Sequence, residues 1–234
     1  MTLDELAAYL HVSRDDLDLL VRREEIPFER KGDRVVFRRS EIDAWASQRL
    51  LGSSREHLQV FHQKSSAKAH DLSNSHAIIG ELVRVRGIEP ALACRTRASV
   101  IREMVKVAEG TGLLYDPADL LKSIESRERL CSTALPGGIA LLHPRSPNPY
   151  LSEDSFVVLG RTVQSLPFGA ADGSTTDLFF LVCCQEESLH LHVLARLCMM
   201  SRDTDLIRRL REAPGAREMH EDLMQAETDI IRRL

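Results

Sequence analysis

The chain has 234 residues, which is enough for one large domain or two smaller ones. Hydrophobic residues make up 43% and charged residues 28%, as in an ordinary globular protein, and the formal net charge is only −4. Nothing in this balance demands nucleic acid or an anionic membrane as a partner. No apolar run is long enough to span a bilayer, and residues 1–4 begin no signal peptide, so we expect a cytoplasmic protein without membrane insertion.

The five cysteines are an odd number and lie in apolar segments. We expect them to be small buried hydrophobic residues in a reducing compartment. No C-x-x-C pair occurs, so the sequence gives little support for a structural zinc site, and no motif indicates a cofactor.

Composition divides the chain into three segments. Residues 1–50 carry compact helix and turn signals, and residues 51–75 contain six serines with weak periodicity. From residue 76 to residue 234 apolar periodicity resumes. We therefore expect a small domain, a linker that is either helical or a loose tether, and a larger domain.

In the small domain three helix starts can be read from capping residues. Thr2 with Glu5 forms a capping box, Ser13 opens a second helix, and Ser40 opens a third. Between the second and third lies a two-stranded hairpin that turns at Gly32. Helix, turn, helix, hairpin and helix in this order predict a winged helix-turn-helix domain.

These residues resemble the excisionase and MerR-like family of DNA-binding domains. The resemblance lies in residues 2–10, in the Val12-Ser13-Arg14 turn and in residues 38–45, and it covers nearly all of residues 1–50. It implies that two arginines on the second helix face the major groove or its phosphates, and that two on the wing contact the backbone or the minor groove. In this sequence the four are Arg14, Arg22, Arg34 and Arg38.

The charge of the small domain favours a second interpretation. Residues 1–50 contain nine Lys and Arg against eleven Asp and Glu, and the second helix carries Asp15, Asp16 and Asp18. Neutralising DNA phosphates requires positive charge, and these aspartates oppose it. A protein-docking adaptor is therefore the alternative to a DNA-binding role.

The larger domain alternates helical and strand-like segments. Helical patterns fill residues 77–109, and Asp116 followed by Pro117 begins another helix. Continuous apolar runs, typical of strands buried on both faces, occupy residues 139–142, 156–159 and 178–184. Helical patterns return at residues 188–200 and 203–212 and after Pro214. This order predicts an α/β sandwich with a mixed sheet.

His143 stands at the end of a strand that follows a Pro-Gly-Gly turn, with Arg127 upstream. Imidazole is an effective nucleophile near neutral pH, and a guanidinium can hold phosphoryl oxygens bidentately. The arrangement suggests a phosphoryl-accepting histidine. The alternative is a histidine whose ring is satisfied by local hydrogen bonds at a strand end.

This domain resembles the enzyme IIA domain of the mannitol/fructose and nitrogen-regulatory type, from the bacterial phosphoenolpyruvate-dependent phosphotransferase system. The motifs are Arg127-Glu128, Ser132-Thr133, Gly137-Gly138, the run from Ile139 to His143, and the His190-Leu191 pair. They fall in the family's order within residues 76–230. By this resemblance a phosphocarrier such as HPr is the partner.

The resemblance also implies a role for each site residue. His143 would accept the phosphoryl group, and Arg127 would bind its oxygens. Thr133 would hydrogen-bond the acceptor imidazole or the phosphate, and His190 would stabilise charge as the second histidine. His192 points to a different helix face, so we expect it at the surface or in packing.

The acceptor is flanked by Leu142 and Pro144, where the family usually has proline and glycine. Three functions follow. The first is a regulator that accepts a phosphoryl group on His143 and carries a DNA-binding-like module. The second is a phosphocarrier for sugar uptake with a docking module, and the third is a non-phosphorylated sensor that retains only the fold.

Overall fold

A computed structural model describes residues 1–10, 14–32, 34–39, 41–42, 45–46, 76–148 and 150–233. The expected linker, residues 51–75, lies outside the described residues, as do Ser13 and Ser40. Within those ranges, no helix combines the length and the apolar character needed to cross a membrane.

In the described part of the N-terminal module two helices and a hairpin have defined bounds, and residues 39, 41–42 and 45–46, where the third helix was predicted, are also helical. The expected capping box is present, since Thr2 N donates to Glu5 Oε2 at 2.8 Å and Glu5 N donates to Thr2 Oγ1 at 3.3 Å. The strands pair antiparallel, and Leu6, Leu17 and Ile42 are fully buried. The elements are α1 (Leu3–Leu10), α2 (Arg14–Arg22), β1 (Glu29–Lys31) and β2 (Arg34–Val36).

The rest of the described chain forms a mixed α/β domain. Its helices and strands are, in chain order, α3 (Ile78–Leu82), β3 (Val83–Leu92), α4 (Arg97–Gly110), α5 (Pro117–Leu130), β4 (Ala134–Leu135), β5 (Ile139–Leu142), β6 (Phe156–Leu166), β7 (Thr176–Cys183), α6 (Glu187–Asp203), α7 (Leu206–Glu212) and α8 (Ala216–Ile231). The strand order is β3-β6-β7-β5-β4. β3 runs parallel to β6 and β5 parallel to β7, whereas the β6–β7 and β4–β5 pairs are antiparallel.

The sheet is covered on both faces, as successive residues of its central strand show. Leu178, Phe180 and Val182 of β7 pack in the cluster that contains residues of α3, α6 and α8. Phe179 and Leu181 point the other way, into the cluster formed with α4 and α5. Strand side chains alternate between faces, so a run buried throughout requires helices on both sides. The predicted mixed-sheet α/β sandwich is confirmed.

One part of the sequence-based prediction is wrong. Residues 77–109 were expected to be helical throughout, but Val83–Leu92 form strand β3. Its first four residues, Val-Arg-Val-Arg, alternate with the period of a strand. Pro90 is tolerated because β3 is at the edge of the sheet and pairs only with β6. That partner lies more than 60 residues away in sequence, so local pattern alone gives weak support for the strand.

The turn that starts β5 is fixed by glycine geometry and by an arginine of α7. Gly137 and Gly138 have φ of 93° and 86°, in the left-handed region that favours glycine. Arg211 donates to Gly137 O at 2.7 Å and forms a two-point ion pair with Asp177. Asp177 N in turn donates to Gly138 O at 3.0 Å. The strand that leads to His143 therefore begins at a defined point.

Replacing Gly138 by alanine should destabilise this turn. A left-handed φ costs a non-glycine residue about 1–2 kcal/mol, and the added Cβ would also collide with Arg211. Urea unfolding should show this loss in Gly138→Ala. Gly110→Ala is the matched control, because no atom lies within 4 Å of its Cβ position, and its stability should be unchanged or higher by up to about 1 kcal/mol. Equal stability of the two variants would contradict the assignment.

Candidate active site

Three elements bring the predicted histidine and arginine together. His143 directly follows β5, Arg127 lies in the last turn of α5, and His190 lies in the first turn of α6. Their exposed fractions are 1% for His143, 1% for Arg127 and 5% for His190. The ring centroids of the two histidines are 5.0 Å apart, at an interplanar angle of 60°. The site is therefore a buried cluster at the end of a central strand.

Hydrogen bonds assign the tautomer of His143. Its Nδ1 lies 2.8 Å from the carbonyl oxygen of Leu141. A carbonyl can only accept, so Nδ1 carries the ring hydrogen and Nε2 presents a lone pair. That lone pair accepts from Arg127 Nε at 3.0 Å. The nitrogen of His143 that carries the lone pair therefore faces the guanidinium.

Two further nitrogens of the site are buried and have no hydrogen-bond partner among the described residues. They are Arg127 Nη2 and His190 Nδ1. The other terminal nitrogen of the guanidinium, Nη1, donates to Cys131 O at 2.9 Å. Buried polar atoms without partners are rare in proteins and costly. Beside a histidine lone pair, they suit a ligand that carries several acceptor oxygens.

Burial keeps both imidazoles neutral. Burial lowers the pKa of His143 well below its usual 6.5, the nearby guanidinium of Arg127 adds to this effect, and His190 adds a smaller part. Burial and then Arg127 lower the pKa of His190 to about 4, while Glu187 opposes the shift. Burial also lowers the pKa of Arg127, and the carboxylate of Glu128 opposes that shift. His143 is thus a neutral imidazole at physiological pH.

Thr133, the fourth predicted site residue, is fully buried but directs its hydroxyl to another partner. The hydroxyl donates to Glu128 Oε1, and Thr133 N donates to the same oxygen at 3.2 Å. Glu128 was not singled out by the sequence reasoning as a site residue. The available signal was the Arg127-Glu128 pair itself. Neighbours on a helix are about 100° apart, so one side chain reaches His143 and the other reaches Thr133.

The four predicted DNA-contacting arginines are all exposed. Arg14 and Arg22 lie at the two ends of α2, and Arg34 begins β2. Arg14 Nη1 lies 2.6 Å from Asp4 Oδ1, and Arg38 pairs with Glu29 and, at 3.7 Å, with Glu41. Two of the four charges are therefore partly neutralised within the module.

His192 is buried with an exposed fraction of 1%, which fits packing, one of its two expected roles. Burial, then Arg196 and then His76, lower the pKa of His192 to about 3. All five cysteines are free, and Cys131 alone among them is only half-buried. No group of three His, Cys, Asp or Glu side chains in the described ranges could hold a metal ion.

Comparison with known proteins agrees with this architecture. Residues 81–225 match the family described as "Phosphoenolpyruvate-dependent sugar phosphotransferase system, EIIA 2", and residues 1–50 match the "Helix-turn-helix domain" family. A nitrogen regulatory protein from Bradyrhizobium diazoefficiens is 30% identical over 145 residues, 61% of this chain and 92% of that protein. The fructose-specific EIIABC component of Bacillus subtilis is 27% identical over 137 residues, 58% of this chain and 21% of that protein.

The crystal structure of nitrogen regulatory protein IIA-Ntr from Neisseria meningitidis has the same fold. Its TM-score is 0.57 at 23% identity, and the similarity covers 63% of this chain and 99% of that one. The larger domain is thus a phosphotransferase-type α/β sandwich with a buried histidine at a strand end. The chain belongs to the EIIA type 2 family of the phosphoenolpyruvate-dependent sugar phosphotransferase system and carries an N-terminal helix-turn-helix domain.

The buried histidines should make folding stability depend on pH. His190 and His192 have pKa values lowered to about 4 and about 3 in the folded protein, whereas the unfolded chain titrates near 6.5. Below pH 6.5 the unfolded state therefore binds more protons, and stability that is fully present above pH 6.5 is lost as the pH falls. At pH 5 each of these histidines should reduce the free energy of unfolding by about 2 kcal/mol.

Urea unfolding at pH 7.5 and pH 5.0 measures this loss. In His192→Gln the part that belongs to His192 should disappear, whatever the stability of the variant at pH 7.5. An equal pH-dependent loss in the wild type and the variant would show that His192 is not held neutral.

Proposed function

We propose that this chain is a cytoplasmic regulator of the phosphotransferase system, in which His143 accepts a phosphoryl group from the phosphohistidine of an HPr-like carrier. The observation that carries the proposal is the pairing of the His143 Nε2 lone pair with Arg127, beside two buried nitrogens that lack partners. Relatives named nitrogen regulatory protein support the regulatory role.

In the proposed reaction the lone pair of His143 Nε2 attacks the phosphorus of the carrier's phosphohistidine. The new Nε2–P bond forms as the N–P bond of the carrier breaks, and the carrier imidazole keeps that electron pair. The proton stays on His143 Nδ1, which continues to donate it to Leu141 O in a hydrogen bond, so no net proton moves. Such transfer depends on positioning and charge stabilisation. Arg127 would turn its Nε hydrogen from the imidazole to the phosphoryl oxygens, and its Nη2, which has no partner among the described residues, would donate to them as well.

Pro144 has no backbone N–H, so the residue after the acceptor offers no amide to the phosphoryl group. Arg127 Nη2 and His190 are the groups at hand to stabilise its charge. Arg127 would therefore contribute more of the charge stabilisation here than in a domain with glycine after the histidine.

The contact between the two modules supports a regulatory output. Arg39 of the N-terminal module forms a two-point ion pair with Glu187, the first residue of α6, and its Nε lies 2.9 Å from Glu187 Oε1. Glu187 acts electrostatically on His190, which contacts His143. The apolar cores of both modules also join in one cluster. A phosphoryl dianion on His143 would disfavour the ionised Glu187 and so weaken its pair with Arg39.

The alternative is a phosphocarrier for sugar uptake whose N-terminal module docks a protein. The internal ion pairs of Arg14 and Arg38 favour this reading of the module, and the fructose-specific relative favours this reading of the domain. Gel shifts with genomic fragments separate the two. A DNA-binding module should bind with an affinity that falls steeply with salt, whereas an adaptor should not bind.

Incubation of the full-length chain with labelled phosphoenolpyruvate, enzyme I and HPr should give an acid-labile label. His143→Ala should abolish it, because no second nucleophile of this geometry is present among the described residues of the site. Arg127→Gln should slow labelling about 100-fold, as expected for the loss of a group that stabilises transition-state charge.

His192→Ala is the matched control. It removes a buried histidine from α6, the helix that also carries His190, and the rings that pack together in the site are those of His143 and His190. The variant should label at the wild-type rate. Equal labelling of wild type and His143→Ala would refute His143 as the acceptor. A wild type that takes no label would refute phosphoryl acceptance and favour the non-phosphorylated sensor.

The module contact predicts a second effect of the label. Amide hydrogen exchange in α1 and α2 should be faster in the phosphorylated chain than in the unphosphorylated one. Arg39→Glu should show the faster exchange without phosphorylation, and the charge-swapped pair Arg39→Glu with Glu187→Arg should restore slow exchange. If phosphorylation leaves exchange in the module unchanged, the proposed output is wrong.

A further inference from the structure

A line of hydrogen bonds runs from the start of α4 to the acceptor histidine, and the proposed reaction does not use it directly. It begins at Arg97, passes through the carboxylate of Glu128, and reaches His143 through the backbones of Thr133 and Leu141. Each step joins buried or half-buried groups, and the last one joins two residues at the end of β5.

Glu128 is the charged centre of this line. Only 4% of the residue is exposed, although it carries a carboxylate. Arg97 Nη2 donates to its Oε2 and also, at 2.8 Å, to its backbone carbonyl. The guanidinium of Arg97 stacks over the ring of Phe168, with its carbon 5.0 Å from the ring centroid. Arg97 is thus held in place and compensates the buried charge of Glu128.

The other carboxylate oxygen of Glu128 holds Thr133. It accepts from both the backbone N–H and the hydroxyl of Thr133. The carbonyl of Thr133 accepts from Leu141 N at 3.2 Å, and the carbonyl of Leu141 accepts from His143 Nδ1. Leu141, whose carbonyl sets the tautomer of His143, is therefore hydrogen-bonded to Thr133, and Thr133 is anchored to Glu128.

We propose that Glu128, held by Arg97, is a positioning residue for phosphoryl transfer, because it anchors Thr133 and thereby fixes the Leu141 carbonyl that keeps His143 in the Nδ1–H tautomer. The consequence for transfer rests on the proposed function. The consequence for the tautomer does not, since it concerns the unphosphorylated chain.

The position requires a carboxylate. Glu128 accepts on both oxygens, from a guanidinium on one side and from two Thr133 donors on the other. A glutamine has one oxygen, and the cation of Arg97 would attract it. The amide NH₂ would then face the backbone N–H of Thr133, donor against donor. Glu128→Gln should therefore release Thr133 while keeping the volume of the side chain.

The experiment compares Glu128→Gln with Glu227→Gln. Glu227 is a matched control because it is also a buried carboxylate, which accepts from two backbone N–H groups, Ile79 at 2.8 Å and Gly80 at 2.9 Å, and pairs with Arg196. It lies on α8, and its hydrogen-bond partners lie on α3 and α6 and not in the Thr133 and Leu141 segments. Both variants lose a buried charge, but only one loses the proposed anchor.

Couplings between the ring nitrogens and ring protons in ¹⁵N-labelled protein report the tautomer of His143. We expect the Nδ1–H form alone in the wild type and in Glu227→Gln, and a mixture of tautomers in Glu128→Gln. The initial rate of labelling by the phosphorylated carrier should fall about 10–100-fold in Glu128→Gln, with an unchanged half-saturating carrier concentration. Glu227→Gln should keep the wild-type rate even if it is less stable.

Thr133 provides a second pair of variants, which serves if Glu128→Gln does not fold. Thr133→Val keeps the shape and removes the hydroxyl, whereas Thr133→Ser keeps the hydroxyl. We expect mixed tautomers in Thr133→Val and the Nδ1–H form alone in Thr133→Ser. A single Nδ1–H tautomer in both Glu128→Gln and Thr133→Val would overturn the inference, and so would equal mixing in Glu227→Gln.

Failure of the inference and failure of the proposed function give different results. A wild-type chain that takes no label but shows the tautomer change in Glu128→Gln would refute phosphoryl acceptance and keep the anchor. A wild-type chain that labels on His143, with no tautomer change in either set of variants, would support phosphoryl acceptance and refute the anchor.

Discussion

The hydrogen bond from His143 Nδ1 to the carbonyl of Leu141 is the interaction on which the chemistry of the site depends. A neutral imidazole has one donor and one acceptor nitrogen, so fixing the donor also fixes the position of the lone pair. The bond spans only two residues along the backbone. The direction of the Leu141 carbonyl, and hence of the Nε2 lone pair, follows from the register of β5 against β7 and from the Gly137-Gly138 turn. The geometry of the sheet thereby determines the direction of the Nε2 lone pair.

Burial brings groups with different electrostatic requirements together in a small volume. The site keeps two imidazoles neutral beside a guanidinium whose own pKa burial lowers. Glu128 compensates part of that charge without contacting His143. A buried cation with a donor that lacks a partner is unfavourable, and the binding of an anion would relieve this cost. The unpartnered donor beside the imidazole therefore favours an oxyanion as the ligand of this site.

Apolar runs predicted the sandwich and the strand before His143, and the family resemblance implied that Arg127 and His190 lie near His143, as they do. The apolar pattern missed β3, since the strand's partner β6 is distant and the Val83–Leu92 run lies between helical patterns. The resemblance placed Thr133 beside the imidazole, whereas the hydroxyl bonds to Glu128. A hydroxyl's partner is decided by three-dimensional packing, and no pattern in the sequence marked Arg97 as the counter-charge.

The near-complete burial of His143, with 1% of the residue exposed, bears on how long a phosphoryl group would stay on the ring. A phosphohistidine loses its group to water if water can reach the phosphorus in line. At this depth, both delivery by a carrier and loss to solvent require the site to open. Under the proposed function, the frequency of that opening sets the lifetime of the phosphorylated state. The domain then keeps its phosphoryl group after the carrier has left, as a short-term memory of phosphoryl supply.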